Sequence, residues 1–339
     1  MTSPAPSNCR AYRSISVVIE RATLKAVDSA EVTILVDGYL DALMTGDDVV
    51  RRAPIAPDLF EREQLRAEHG YALLLTVVDG GRRRSVLYDA GLGRDTALHN
   101  LDVLGMAAGE LRAIVLSHGH ADHHGGLEGI VRRLGRPGLP LVLHPDAWRQ
   151  RRVALPTGGE IRLPPPTQVD LEAEGVEVVE ERGPSLLLDE TVLVSGQTER
   201  TTSFERGFPV QEALSEAGAW EPDPWVWDDQ SVIVDVRGLG LVVLSSCSHS
   251  GAINVLRNAT QVTTQSKVHA FVGGLHLSGL LFEPIIPDTI GALAAMAPDF
   301  VVAGHCTGWR ATHELARAMP SAYVQSGVGT TLHFEAPSP

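Results

Sequence analysis

The chain has 339 residues, 44% of them hydrophobic and 21% charged, with a formal net charge of −14. That balance describes a folded globular protein with room for one large domain or two ordinary ones, and excludes a disordered chain. The acidic surplus repels phosphate backbones and argues against nucleic acid as principal partner. The clearest basic clusters, Arg82-Arg83-Arg84 and Arg149, Arg151 and Arg152, are expected in exposed loops.

In chain order, residues 1–29 read as an N-terminal extension, partly disordered, whose first 14 residues are small, polar and Pro-containing. "EVTILVDG" (31–38) reads as a strand running into a turn, and "EREQLRAEHG" as a short helix stopping at Gly70. "YALLLTVVDGGRRRSVLYDAG" reads as a hairpin around an Asp-Gly turn. "AIVLS" is a strand, "LEGIVRRLG" a helix closed by Gly135, and "LPLVLHPDAW" another strand. Residues 151–185 are rich in Pro, Gly and charge and mark an insertion or long loop. The Trp-rich "WEPDPWVWDD" lies in a segment, 203–229, expected to form a lid or a subunit contact, so a homo-oligomer is anticipated. The second half repeats the pattern: a hairpin "QSVIVDVRGLGLVVLSSCSHSG", a helix "INVLRNATQ", a strand "VHAFVGGLHL", a helix near 287–296, a strand "DFVVAGHCTG" and a helix "WRATHELARAM". Two β-then-α halves with polar residues at the strand ends describe a layered α/β fold.

Cys9, Cys247 and Cys306 are too few and too scattered for a disulfide framework and fit a reducing cytosol. The N-terminus lacks a signal-peptide pattern, and no run approaches the ~20 apolar residues of a membrane span. A cytoplasmic protein with no membrane partner is expected.

The stretch "IVLSHGHADHHGGLEGI" (114–130) carries the chemistry. On an extended exit from a strand His118 and His120 point the same way, and Asp122 and His123 follow as the chain turns back. Imidazole with carboxylate suits Zn²⁺, Fe or Mn²⁺. One tetrahedral ion needs about four ligands. Together with His249, His276 and His305 at later strand ends, the candidates suffice for two ions about 3.5–4 Å apart. His99, His144, His269, His313 and His333 are expected as surface or satisfied core residues.

"SHGHADHHGGL" resembles the His-x-His-x-Asp-His signature of the metallo-β-lactamase superfamily, and "LYDAGLG" the Asp-containing turn before it. "SSCSHSGAINVL", "FVGGLHLSG" and "VVAGHCTGW", in that order, resemble a subgroup of metal-dependent hydrolases, some labelled dihydropterin–ribofuranosyl-aminobenzene-phosphate synthases. The resemblance covers roughly 30–333 and implies a single domain over 30–335. Its fold would be a four-layer αββα sandwich with the metal centre at one edge between the sheets. The chain departs from the pattern twice. Only His144 falls where most members supply a third histidine to the first metal, and the bridging aspartate is replaced by Ser246-Cys247-Ser248-His249.

These motifs imply a hydrolase that uses a metal-activated water on a small ester, phosphoester or lactone. His118, His120, Asp122, His123, His249 and His305 are the expected ligands of one or two Zn²⁺ ions, with Fe or Mn as alternatives. Asp122 is the expected catalytic residue, as a ligand or as acceptor of the water's proton. His276 stands between ligand and supporting roles. Cys247 is a further candidate, as a ligand or packed beside the metal; a bridging thiolate next to a hydroxide would invite oxidation, so the direct role is expected of His249, while strand alternation turns Ser248 away. Asp89 is expected to orient His118 or His120 through the ring nitrogen facing away from the metal. Thr307 and Ser250 are read as helix caps that, with Arg310 one turn in, favour an anionic small-molecule substrate. Competing readings are a mononuclear iron dioxygenase of the same fold and a non-catalytic metal- or ligand-binding protein.

Overall fold

The apolar runs become strands whose side chains are buried on both faces, so they read as continuous hydrophobic stretches rather than alternating ones. The computed structural model describes residues 21–53, 58, 61–106, 108–155 and 158–337; the first 20 residues of the expected extension, with Cys9, lie outside them. One sheet has eight strands, in the order Val50–Arg51, Thr331–Glu335, Ser29–Val36, Ala72–Asp79, Arg82–Tyr88, Leu111–Val115, Pro140–Leu143 and Glu177–Glu180. The other has seven: Ser185–Leu187, Val192–Val194, Val232–Val236, Gly240–Ser245, Val268–Gly273, Phe300–Ala303 and Tyr323–Gln325.

Burial sorts these strands into layers. Ile34, Leu73, Leu75, Val86 and Val115 of the first sheet meet Val194, Val234, Val242, Val272 and Val302 of the second in one central cluster. Their sequence neighbours point outward. Leu35, Leu74, Leu87, Ile114 and Leu141 pack under the helices Thr96–Val103 and Leu127–Leu134. Ile233, Val243, Phe271 and Val301 pack under Ala252–Thr263, Ile286–Met296 and Trp309–Ala318. Three apolar interfaces separate four layers, helix, sheet, sheet and helix: the expected αββα sandwich. Each Leu or Ile in these clusters contributes roughly 1.5–3 kcal/mol by leaving water.

Strand direction places the chemistry. Arg82–Tyr88, Leu111–Val115 and Pro140–Leu143 run parallel, as do Gly240–Ser245, Val268–Gly273 and Phe300–Ala303. Their carboxyl ends deliver Asp89, His118, Cys247, His276 and His305 to the sandwich edge.

Three expectations are corrected. Residues 61–70 form no helix. Asn100 instead bonds the backbone of Arg66 and Leu35, and the Glu68 carboxylate takes the amides of Leu92 and Gly93 and the Thr96 hydroxyl. The region 151–185 is not simply a loop. Arg151–Ala154 and Glu160–Leu163 pair with Gln211–Leu214 and Trp220–Pro222 into a separate four-stranded sheet. The basic clusters are not loops either: Arg82–Tyr88 is a strand, although Arg82 and Arg83 stay exposed as expected, and Arg151 is 1% exposed. Apolar periodicity misses the small sheet because charge organises it. Arg152 pairs with Glu160 and Glu212, and Arg151 donates to Asp223 at 2.8 Å and to Asp228 at 2.6 and 3.0 Å. Residues 22–28, assigned to the extension, contact the domain through Ala22 to Val262, Lys25 to Glu190 and Val27 to Asp235. Among the described residues no helix is long and apolar enough to cross a membrane.

Desolvation largely offsets the attraction within a buried ion pair, but removing one partner strands the others. Arg151→Ala should therefore lower the unfolding free energy by about 3–5 kcal/mol, read from the urea midpoint at unchanged slope.

Candidate active site

The site is built where backbones leave the strands in uncommon conformations. Asp89 (φ 63°), Ser248 (57°), His276 (48°) and His305 (50°) are all left-handed and none is glycine. Such strain persists where surrounding contacts over-determine it, and it concentrates at functional sites. The histidine loop approaches its neighbours so closely that a Cβ on Gly119 would stand 2.1 Å from the Ala147 carbonyl oxygen.

Hydrogen bonds orient the rings. The Ser117 hydroxyl donates to Asp89 Oδ2 at 2.7 Å, so it accepts from His118 Nδ1 at 2.8 Å and leaves Nε2 as a lone pair. His120 Nε2 donates to the Gln211 side-chain oxygen at 2.6 Å, leaving Nδ1 as its lone pair. Those two lone pairs, His118 Nε2 and His120 Nδ1, face each other at 3.0 Å. A cation relieves that repulsion. His123 Nδ1 donates to Asp89 Oδ2 at 2.8 Å and turns Nε2 toward Cys247 Sγ at 3.3 Å and Asp122 Oδ2 at 3.6 Å. His305 Nε2 lies 3.4 Å from Asp122 Oδ2, and the His249 ring sits 4.7 and 4.8 Å from those of His118 and His120. Both ring nitrogens of His249, His276 and His305 are buried without a hydrogen-bond partner among the described residues. Buried nitrogens left so are uncommon, and each of these rings has a ligand atom within 4.8 Å of the Cys247 sulfur, a clustering that fits divalent cations.

The electrostatics agree. Burial and the neighbouring imidazoles hold His118 and His249 well below the usual histidine range. Burial and the Arg151 guanidinium hold His120 down to about 4. All three are neutral at pH 7, as ligands must be. For His123 burial works downward, but the Asp122 and Asp89 carboxylates outweigh it and push the ring up to about 9. Burial would raise Asp122; His123, His305 and His120 overcome that and keep it ionised.

The family description "Metallo-beta-lactamase superfamily" matches residues 70–260, more than half of the chain. The chain belongs to the metallo-β-lactamase superfamily. A 7,8-dihydropterin-6-methyl-4-(β-D-ribofuranosyl)-aminobenzene-5′-phosphate synthase of Methanocaldococcus jannaschii is 26% identical over 273 residues, covering 79% of this chain and 90% of that one. An uncharacterised protein of the same organism is 26% identical over 264 residues, 77% of this chain and 92% of that one. A crystal structure of a metal-dependent hydrolase of the β-lactamase superfamily superimposes with a TM-score of 0.67 at 22% identity, over 91% of this chain and 100% of that one. That likeness is one of fold.

In this metallo-β-lactamase sandwich His118, His123, His249 and His305 come together around Cys247, with His120 beside His118 and Asp122 beside His123 and His305. Several roles differ from expectation. Cys247 is no peripheral packing residue: its sulfur lies within 4.8 Å of ligand atoms of His118 and His249, and of His123 and His305. Asp89 holds His123, and reaches His118 only through Ser117. His144 joins no ligand group among the described residues, and its Nδ1 accepts from the Asp146 amide. Ser250 and Thr307 cap nothing: Ser250 donates to Asp229, and Thr307 accepts from the Leu275 amide. The Ile253 and Asn254 amides that Ser250 would have offered to an anion are taken by Glu205. Arg310 is 68% exposed and paired with Glu283.

Sequence reasoning missed His69, whose Nε2 lies 3.8 Å from Asp122 Oδ2, and Phe208, stacked on His249 at 5.9 Å. It also missed Gln211. No local signal marks these residues; only "HG" before a strand and a lone Phe in the 203–229 segment hint at them. Gln211 Nε2 donates to Asp223, which pairs with Arg151, which pairs with Asp228, which accepts the Gly119 amide. The small sheet thus fixes the tautomer of His120.

Gln211→Ala should weaken divalent-metal binding about 10–100-fold, measured by competition with a chromophoric chelator, with folding retained. For His123 the sign is set by a folded value, about 9, above the ordinary 6.5. Its contribution to metal-free stability is complete below pH 6.5 and lost as pH rises through 9. The stability margin of wild type over His123→Asn, measured by denaturant unfolding after chelation, should shrink by a few kcal/mol, ~1.4 per pKa unit, across that window.

Proposed function

We propose that this chain is a metal-dependent hydrolase acting on a small ester, phosphoester or lactone. The observation that carries the reading is that the buried, unpartnered imidazoles of His249 and His305 both lie within 4.8 Å of the Cys247 sulfur, beside an ionised Asp122. His118, His120 and His249 would hold one divalent cation, and Asp122, His305 and, once its Nε2 proton is displaced, His123 a second, with the Cys247 sulfur within reach of both sets. The mixed nitrogen, oxygen and sulfur donors suit Zn²⁺ best, with Fe or Mn²⁺ as alternatives. A cation of this kind supplies an acidified water near neutral pH.

The protein's own residues do the rest. Asp122 would hold the second cation or accept the water's proton, and the exposed His69 stands 3.8 Å from its Oδ2. Asp89 and Gln211 keep His123 and His120 in their working tautomers. Phe208, stacked on His249, and Phe282, 4.3 Å from the His276 ring, form an apolar wall that excludes water and suits a substrate with an apolar portion. Because 203–229 carries both Phe208 and Gln211, we assign it as the cover of the site. The loss of both helix caps removes their support for an anionic substrate, while the −14 charge still favours a small molecule over nucleic acid.

Asp122→Asn, folded and supplied with saturating metal, should lose about 100-fold or more in turnover across a panel of esters, phosphodiesters and lactones. Unchanged turnover removes Asp122 from the chemistry. A separate arm assays formation of the ribofuranosyl-aminobenzene-phosphate pterin product for which the relative is named; activity there alone replaces the hydrolase reading with a synthase.

A further inference from the structure

A second kind of donor set adjoins the nitrogen-rich positions. Cys306, next to His305 in the chain, brings its sulfur to 3.4 Å from that of Cys247. The ligand atoms of Cys247, Cys306 and His276 all lie within 4.8 Å of one another. Neither of the two cation sets proposed above uses Cys306 or His276. Yet the fold spends conformation on this corner. His276 is left-handed, with a φ of 48°, and neither of its buried ring nitrogens has a hydrogen-bond partner. The backbone leaves room for sulfur: a Cβ on Gly274 would stand 2.7 Å from Cys306 Sγ and 2.4 Å from the Ser246 carbonyl oxygen. Aromatic rings close the outside, with Phe282 centred 4.3 Å and Phe208 5.4 Å from the His276 ring.

We propose that Cys247, Cys306 and His276 form a further metal position, a thiophilic one, at the edge of the hydrolase centre. Two thiols and an imidazole are the donor set of soft and borderline ions, Cu⁺, Zn²⁺ or Cd²⁺, whereas the flanking histidines and Asp122 suit harder ones. Binding holds both sulfurs as thiolates and releases to solvent whatever protons they carry, with no change in oxidation state. The imidazole binds neutral, through a nitrogen that now has no partner. Occupancy draws the Cys247 sulfur away from the His118 and His123 sets, so a soft ion here competes with any share Cys247 takes in holding the other cations.

The experiment is a Cd²⁺ titration of the full chain, kept reduced with a non-thiol reductant, in a Cys9→Ser background that removes the N-terminal thiol. Sulfur-to-cadmium charge-transfer absorption reports thiolate ligands only, whatever ions the histidines bind. The band should saturate at one ion per chain, fall to about half in Cys306→Ser as one sulfur replaces two, and persist in His118→Ala. His276→Ala should need at least tenfold more Cd²⁺ for the same band. X-ray absorption of the parent protein with one equivalent of Cd²⁺ should count two sulfur neighbours, a measurement that requires no variant to fold. One sulfur per ion, or a band unaffected by Cys306→Ser, overturns the proposal and leaves Cys247 to the nitrogen and oxygen sets alone. Turnover on the ester panel is read separately, so failure of the hydrolase reading and failure of this site are distinguishable.

Discussion

The Asp89 carboxylate is the contact on which the centre depends. It is 1% exposed, sits on a left-handed backbone, and accepts from the Ser117 amide at 2.7 Å, the Ser117 hydroxyl at 2.7 Å and His123 at 2.8 Å. One side chain thereby ties the end of Arg82–Tyr88 to the histidine loop that leaves the adjacent parallel strand. It also sets two ring orientations, that of His123 directly and that of His118 through Ser117. A buried carboxylate is tolerable only when its oxygens are filled in this way, so the loop and the charge stabilise each other.

The small sheet performs the same task from the other side. Arg151, Asp223 and Asp228 are buried together, and the chain of contacts they begin ends on Gln211 and on the amide of Gly119. Buried ion pairs seldom add much net stability, but they resist rearrangement because any other pairing strands a charge. Here that resistance is placed directly behind His120. The insertion is therefore part of the site as much as an elaboration of the sandwich.

Between these two supports the site separates its charges. Neutral His118, His120 and His249 stand beside an ionised Asp122 and a protonated His123, all within a few residues or a few ångströms of one another. Burial alone would leave every group neutral. The carboxylates on both sides of His123 reverse that for one ring only, and the arrangement explains how a crowded cluster of imidazoles keeps most of its lone pairs available at neutral pH.

Much of the architecture was legible because it is local. The helix ending at Gly135 carries its own stop, with Gly135 left-handed at φ 52°, and the strand runs are apolar on both faces because both faces are covered. The histidine motif was equally legible, since its ligands lie within a few residues of one another. The family resemblance distinguished the αββα sandwich from a doubly wound sheet; periodicity alone did not. Other features depend on partners far away in the chain. Gln211 meets His120 across 91 residues, and Cys247 meets His123 across 124. The helix expected over 61–70 yields to the bonds of Asn100 and Glu68, whose partners lie 24 to 34 residues away. By itself, then, the sequence determined where the candidate ligands cluster and which apolar segments are strands, because composition and short-range spacing carry that information. Which sulfur sits at the centre, which carboxylate holds which imidazole and which buried charges lock the loop were decided by tertiary structure alone, because direction and distance across two sheets are not properties of any single segment.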